Sequence, residues 1–247
     1  MELGILQIVQ GSLSLIYITI TLVLSGIFIS RYFSLAKSEF LFIGLALIGM
    51  ASPWFPEALG FLIIFITNGI MSDQFYLNSV IIIFIIFTSY LPVAVMSWLI
   101  AITRLLNLKK RKVILITVLI ISIFFEITFY IFASIDLSLI GTFVDPFNSM
   151  ESTFIAFFYV VIMILLLITG FVFSFISMKS EIPKIKLKGK FILIGFIMFL
   201  IGGFLPYFVY DILSLVITRV IVLISSILMY LGFLLPNRIL KLFNIED

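Results

Sequence analysis

The sequence predicts an all-α polytopic membrane protein, a bundle of seven transmembrane helices with the N-terminus outside and the C-terminus in the cytoplasm. Three observations lead to this fold class. Hydrophobic residues make up 64% of the 247 residues and charged residues only 11%, whereas a soluble domain carries about 25% charged residues. The apolar residues form runs of roughly 20 or more, which is the length that crosses a bilayer. Every Lys and Arg except Arg219 lies between alternate runs.

The seven predicted helices cover residues 5–30, 39–65, 79–105, 113–135, 152–178, 190–210 and 212–235. One set of connecting segments carries the basic residues Arg31, Lys37, Arg104, Lys109, Lys110, Arg111, Lys112, Lys179, Lys184, Lys186, Lys188, Lys190, Arg238 and Lys241. The other set is acidic and carries Glu2, Glu57, Asp73, Asp136, Asp145, Glu151 and Asp211. Because segments rich in Lys and Arg stay in the cytoplasm, the acidic set is expected outside. We expect one multi-pass domain in the cell membrane, with residues 236–247 as a short cytoplasmic tail.

The second predicted helix has two prolines near its centre, in the motif Ser52-Pro53-Trp54-Phe55-Pro56. Proline breaks or kinks a helix because it lacks the backbone N–H and clashes with the preceding turn. One interpretation is a kinked helix whose outer end lies in the membrane interface, where tryptophan is favoured. The other is a broken helix that lines a site.

Two further prolines predict bends. Pro92 predicts a kink in the third helix. Pro206 follows Gly202 and Gly203 in the sixth helix, and this combination indicates either a hinge or close packing against a neighbouring helix.

The chain contains no cysteine and no histidine. Disulfides, thiolate nucleophiles, metal sites built on cysteine or histidine, and serine–histidine catalytic sites are therefore excluded. Retinal would need a lysine in the seventh helix, where the only basic residue is Arg219. The basic residues lie at helix ends, as topology requires, so they do not indicate nucleic-acid binding. We expect no cofactor and no enzymatic activity.

Two charges lie deep in apolar runs, Arg219 in the seventh helix and Glu126 in the fourth. A charge at that depth costs roughly 3 kcal/mol or more unless it is partnered. Both residues lie roughly 11–14 Å below the outer boundary at 1.5 Å per residue. Glu126 is identified as the only acidic residue at comparable depth, so the sequence predicts an intramembrane Glu126–Arg219 ion pair.

Polar side chains on four helices recur at helical spacing, which places each set on one face. These faces are expected to meet in the outer half of the bundle, since unsatisfied polar groups in lipid cost several kcal/mol. They either form interhelical hydrogen bonds or line a ligand cavity with the ion pair at its floor. The residues concerned are Gln10, Ser14 and Tyr17 in the first helix, Tyr90 in the third, Ser122, Glu126 and Tyr130 in the fourth, and Arg219, Ser226 and Tyr230 in the seventh.

The last third of the chain carries a recognisable pattern. A basic linker, Lys186-Leu187-Lys188-Gly189-Lys190, precedes a glycine-bearing apolar helix, and the next helix ends Tyr230-Leu231-Gly232-Phe233-Leu234-Leu235-Pro236. Together with Ser52-Pro53-Trp54-Phe55-Pro56, this pattern resembles uncharacterised archaeal seven-helix integral membrane proteins. It is more distantly similar to the seven-helix N-terminal sensor region of histidine kinases, although no kinase domain is expected here. The resemblance implies a signal-input or ligand-sensing membrane module and brings no catalytic residue with it.

Three functions remain open at this point. The first is a non-enzymatic sensor or receptor-like module that binds a small ligand from outside. The second is a small-molecule or ion transporter, which the apolar inner halves of the fifth and sixth helices disfavour. The third is a structural or accessory subunit, in which the polar groups only hold the helices together. The lipid bilayer is an expected partner in all three cases. The basic segment 179–190 is either a topology anchor near anionic headgroups or a docking surface for a cytoplasmic partner.

Overall fold

The computed structural model describes residues 3–67, 73–143, 149–205 and 212–245. Within these ranges, seven helical spans are long and apolar enough to cross a membrane, which confirms the helical membrane fold and the number of spans. Which terminus lies outside stays a prediction. The helices are α1 (Ile5–Leu35), α2 (Ser38–Met50), α3 (Phe55–Thr67), α4 (Asp73–Leu105), α5 (Arg111–Ile135), α6 (Thr153–Met178), α7 (Pro183–Phe204), α8 (Ile212–Leu234) and α9 (Asn237–Leu242).

The start of α7 differs from the prediction. The helix begins at Pro183 rather than at residue 190, so most of the basic segment 179–190 is helical. Proline is favoured at the first helical position because its missing N–H needs no partner there. Lysine is also a good helix former. Pro206 lies outside the described residues, and its predicted bend stays a prediction.

The second span is interrupted. α2 ends at Met50, a short 3₁₀ segment covers Ser52–Trp54, and α3 starts at Phe55. The prolines at 53 and 56 supply no backbone N–H groups, which accounts for the broken ladder. Trp54 is only 8% exposed, and its ring meets the ring of Tyr17 edge-on at 5.2 Å between centroids. A buried indole favours the broken-helix interpretation over an interfacial one. Pro92 lies inside an uninterrupted α4, and its predicted kink stays a prediction.

The chain divides into two compact units, Met1–Ile162 and Met163–Asp247. In the first unit, small residues allow close helix contacts. Ser25 on α1 donates a hydrogen bond to the Gly44 carbonyl of α2 at 2.7 Å. A Cβ built at Gly49 on α2 would lie 3.2 Å from the Ala94 Cα of α4 and would overlap the Ala94 methyl carbon. The single predicted domain of residues 1–247 stays a prediction.

In the second unit, α7 and α8 pack through glycines. A Cβ built at Gly202 would lie 3.2 Å from the Thr218 carbonyl oxygen. Ser225 on α8 donates a hydrogen bond to the Gly195 carbonyl at 2.8 Å. These contacts support the close-packing interpretation of the sixth span.

Within the second unit, α9 packs against the start of α7 and the residue that follows α8. Leu240 of α9 is buried in a cluster with Leu187 and Leu235. Lys188 donates a hydrogen bond from Nζ to the Phe233 carbonyl near the end of α8, at 2.9 Å. Such a bond satisfies one of the carbonyls that a helix leaves unpaired at its C-terminus.

The predicted loop between α5 and α6 contains ordered structure. A 3₁₀ turn (Leu137–Leu139) precedes strands β1 (Gly141–Phe143) and β2 (Ser149–Glu151), which pair antiparallel. The Ser138 N–H donates to the Asp136 carboxylate at 2.9 Å and lowers the pKa of that carboxyl. Burial raises the pKa of the Glu151 carboxyl.

Candidate functional site

Glu57 contradicts two predictions made from the sequence: that Glu57 belongs to an outer connecting segment, and that Glu126 is the only acidic residue deep in an apolar run. Glu57 instead lies in α3, about 15 Å below the Thr67 end at 1.5 Å per residue. It is only 6% exposed. The available signal was the length of the second apolar run, which places Glu57 well inside a span if the helix resumes after the break.

The polar stripe on α1 faces the interior of the first unit. Of the residues predicted to share this face, Gln10, Ser14 and Tyr17 are each at most 4% exposed, and Thr21 and Ser25 continue the face with equally low exposure. The three predicted residues therefore share one buried face of α1, and their place in a ligand cavity stays a prediction. The physical cause is the cost of placing unsatisfied polar groups in lipid.

Three contacts fix the register between α1 and the interrupted span. Ser25 bonds to Gly44, Tyr17 meets Trp54, and a Cβ built at Gly11 would lie 2.6 Å from the Phe61 Cβ. The two segments therefore run antiparallel.

This register sets the level of each polar group. Interpolation between the Tyr17–Trp54 and Gly11–Phe61 contacts places Ser14 level with Glu57. Gln10 follows one helical turn nearer the start of α1.

α4 contacts α3 at positions before and after Glu57 in the chain. The rings of Phe55 and Phe87 stack with centroids 3.7 Å apart. Further along α3, a Cβ built at Gly60 would lie 2.7 Å from the Tyr76 hydroxyl oxygen. Gly60 is three residues beyond Glu57, so this contact lies about one helical turn further along α3 than Glu57. Tyr76 is itself buried.

We call this group the Glu57 cluster. Its members are buried in the first unit and lie between the interruption and the Gly11–Phe61 contact, and they are Gln10, Ser14, Tyr17, Trp54, Glu57 and Tyr76. One turn further along the α1 stripe, the buried Thr21 hydroxyl oxygen has no hydrogen-bond partner in the described part of the chain. A buried hydroxyl of this kind costs about 1–3 kcal/mol unless a water or ligand atom satisfies it.

The polar residues of α4 and α5 make interhelical hydrogen bonds. Tyr130 on α5 donates to the Ser89 hydroxyl on α4 at 2.9 Å, although its ring is 51% exposed. Tyr90 on α4 donates to the Leu45 carbonyl on α2 at 3.2 Å. On the same α5 face, Ser122 is buried and Glu126 is half-buried. These bonds support the structural interpretation for the two tyrosines.

The predicted face of the seventh span lies in the second unit. Arg219 is 7% exposed on α8. Ser226 is buried and donates to the Val222 carbonyl at 3.3 Å, while Tyr230 is half-buried. Glu126 belongs to the first unit, and its pairing with Arg219 stays a prediction.

The Glu57 cluster combines one carboxylate with hydroxyl, amide and aromatic groups, which are side chains that can form hydrogen bonds and ring contacts. Among the described residues no group of three or more acidic side chains could hold a metal ion. Compared with known proteins, the chain matches no protein-family model, no curated protein sequence and no solved structure.

Proposed function

We propose that this protein is a non-enzymatic, receptor-like membrane sensor that binds a small ligand at the Glu57 cluster, entering from the outer side. The observation that carries the proposal is a 6%-exposed carboxylate beside a helix interruption, level with the polar stripe of α1. Ionisable residues inside a membrane span are expensive and mark functional sites by default. An interior built only for stability would be cheaper with apolar side chains at this position.

The interruption is a point at which the second span can bend. A 3₁₀ segment between two half-helices lacks part of the regular hydrogen-bond ladder. The two halves can therefore change their relative direction at lower cost than a continuous helix. A ligand shifts such an equilibrium only if it binds the two arrangements unequally, and a ligand that contacts both α1 and α3 satisfies that condition. The basic segment 179–190 is the proposed contact for a cytoplasmic partner.

The test is thermal unfolding of the purified protein in detergent against a panel of metabolites, lipids and ions. A ligand at a hundredfold excess over its dissociation constant stabilises the folded state by about 2.7 kcal/mol. We expect at least one compound to raise the unfolding temperature of the wild type and to lose this effect in Glu57→Gln. Glu39→Gln is the matched control, because Glu39 lies in the first turn of α2, at the other end of the same span. If no compound in the panel raises the unfolding temperature, the protein is better assigned as a structural subunit.

A second candidate, a small-molecule or ion transporter, is favoured by the interrupted span itself. Discontinuous helices form the substrate sites of many secondary transporters. Uptake of the stabilising compound into proteoliposomes separates the two functions. A sensor binds the compound without accumulating it, whereas a transporter accumulates it at a rate that Glu57→Gln abolishes.

A further inference from the structure

We propose that α9 and the start of α7 form a surface that binds the headgroups of anionic phospholipids, with α9 lying in the membrane interface. This inference goes beyond the proposed function and does not depend on the Glu57 cluster, because the whole surface lies in the second unit. Two of its lysines belong to segment 179–190, so a cytoplasmic partner at that segment would have to displace the headgroups.

The helices that α9 contacts set its level in the membrane. α8 contains an apolar span that ends at Leu234, and α9 begins three residues later at Asn237. Leu240 is buried in its cluster with α7 and the end of α8. The ring of Phe243, the residue that follows α9, meets the ring of Phe191 on α7 edge-on, with 5.9 Å between centroids. Because a spanning helix ends at the boundary of the apolar layer, α9 lies at that boundary.

α9 is amphipathic. At 3.6 residues per turn, its apolar side chains fall in one half of the circumference and its basic side chains in the other. The apolar half is wider than the contact with α7, since Leu242 is 76% exposed. A short helix of this kind lies with its apolar half at the acyl boundary and its basic residues among the headgroups. The apolar half consists of Ile239, Leu240, Leu242 and Phe243, and the basic residues are Arg238 and Lys241.

The charge of this surface selects the headgroup. Four basic side chains are exposed there, Lys186 and Lys190 on α7 and Arg238 and Lys241 on α9. Glu181 is the one acidic residue among residues 163–205 and 212–245. Four or more Lys and Arg beside a spanning helix or on an amphipathic helix are typical of binding to anionic lipid.

The two α7 lysines are turned away from α8. They are four residues apart and therefore share one side of the helix. Lys188 lies between them on the opposite side, where its Nζ donates to the Phe233 carbonyl of α8. Because α7 is helical from Pro183 onwards, an ordered helix holds this pair beside α9.

The test measures which lipid surrounds α9. Leu242→Cys supplies a single thiol at an exposed position, because the chain has no cysteine of its own. The full-length protein carries a fluorescent label on this thiol and is reconstituted into phosphatidylcholine vesicles. A fixed fraction of the lipid is either brominated phosphatidylglycerol or brominated phosphatidylcholine, and bromine quenches the label only at close contact. We expect phosphatidylglycerol to be preferred at least about fivefold, since one basic residue near the surface contributes about that factor.

Charge variants show which residues select the headgroup. Arg238→Gln combined with Lys241→Gln should bring the preference close to one. Lys109→Gln combined with Lys112→Gln is the matched control, because it removes two exposed lysines from the first unit, and it should keep the preference. Raising the salt concentration from about 0.1 M to 1 M shortens the range of electrostatic attraction from about 10 Å to 3 Å. The preference should fall in high salt as well, and this measurement needs no charge variant to fold.

Three results would overturn the inference. Equal quenching by the two brominated lipids would show that the headgroup is not selected. A preference that survives both high salt and the paired change at Arg238 and Lys241 would show that these charges do not select it. Quenching by neither lipid would place α9 outside the interface and assign its exposed side to a protein partner. None of these results bears on ligand binding at the Glu57 cluster.

Discussion

Replacing Gly49 by alanine tests how the interruption of the second span is held in place. Gly49 is the last residue but one of α2. A Cβ built there would lie 3.2 Å from the Ala94 Cα of α4 and 3.4 Å from the Tyr90 ring, and it would overlap the Ala94 methyl carbon. Carbon atoms pack at about 3.5–4.0 Å. The added methyl group therefore forces α2 away from α4 at the point where the helix breaks.

Two opposing effects determine how much Gly49→Ala changes the free energy of unfolding. Overpacking a well-packed interior costs about 1–3 kcal/mol. Alanine gains roughly 0.5–1 kcal/mol over glycine inside a helix. We therefore expect Gly49→Ala to destabilise the folded state by about 1–2 kcal/mol and to weaken ligand binding at the Glu57 cluster, because the interruption moves with α2.

The assay is equilibrium unfolding in mixed micelles, followed by circular dichroism. Gly26→Ala is the matched control, because a Cβ built at Gly26 meets no atom within 4 Å, and it should stabilise by about 0.5–1 kcal/mol. Ala94→Gly combined with Gly49→Ala moves the methyl group to the other helix and should recover most of the loss. Equal stability of Gly49→Ala and Gly26→Ala, or no recovery in the double variant, would refute the reasoning.

Two further predictions use the same unfolding measurement, and a third uses limited proteolysis. Glu126→Gln should destabilise more than the double change with Arg219→Leu, because the single change leaves a buried cation without its predicted partner. Burial raises the pKa of the Glu151 carboxyl. The contribution of Glu151 to the free energy of unfolding is therefore fully present below about pH 4.3, the ordinary glutamate pKa, and is lost as the pH rises through the raised pKa. Glu151→Gln should remove this pH dependence. Leu240→Ala should release α9 and speed its proteolysis, because it empties a buried position at a cost of about 2–5 kcal/mol.

Each of these predictions has its own control. For the ion pair, the same comparison is made with Glu57→Gln, alone and combined with Arg219→Leu. If Arg219→Leu relieves the effect of Glu57→Gln and does not relieve that of Glu126→Gln, the Glu126–Arg219 pair is excluded. A pH profile of Glu151→Gln identical to that of the wild type would remove the Glu151 argument. Leu242→Ala should leave proteolysis unchanged, since Leu242 is 76% exposed; equal cleavage of both leucine variants would mean that α9 is not held by Leu240.

The spans were predictable from sequence because length and hydropathy are local properties. The polar face of α1 was also predictable, since its 3.6-residue spacing is visible in the chain. Glu57 follows two prolines, and the sequence alone leaves open whether the chain turns into the membrane interface there or continues across the membrane; helical structure resumes at Phe55 and carries Glu57 into the span. Whether a chain continues its span after a break depends on packing by other helices, here on the Phe55–Phe87 stack.

The sequence does not predict which neighbouring helix each polar helix face packs against. That α1 packs on the interrupted span depends on Gly11 and Gly44, whose missing side chains admit the neighbouring helix. The roles of Tyr90 and Tyr130 as interhelical donors likewise depend on where the Leu45 carbonyl and the Ser89 hydroxyl lie. Sequence spacing gives the direction of a side chain on its own helix and says nothing about the helix it meets.

The Glu57 cluster is proposed to open to the outer side, and single cysteines test this opening most directly because the chain has none of its own. Ser14→Cys places a thiol at the level of Glu57, Ser138→Cys marks the predicted outer surface, and Ser180→Cys marks the predicted inner surface. A membrane-impermeant thiol reagent is applied to intact cells. We predict that Ser138→Cys reacts, that Ser14→Cys reacts more slowly and is protected by a stabilising ligand, and that Ser180→Cys does not react. Reaction of Ser138→Cys with no reaction of Ser14→Cys, or labelling of Ser180→Cys alone, would contradict the account.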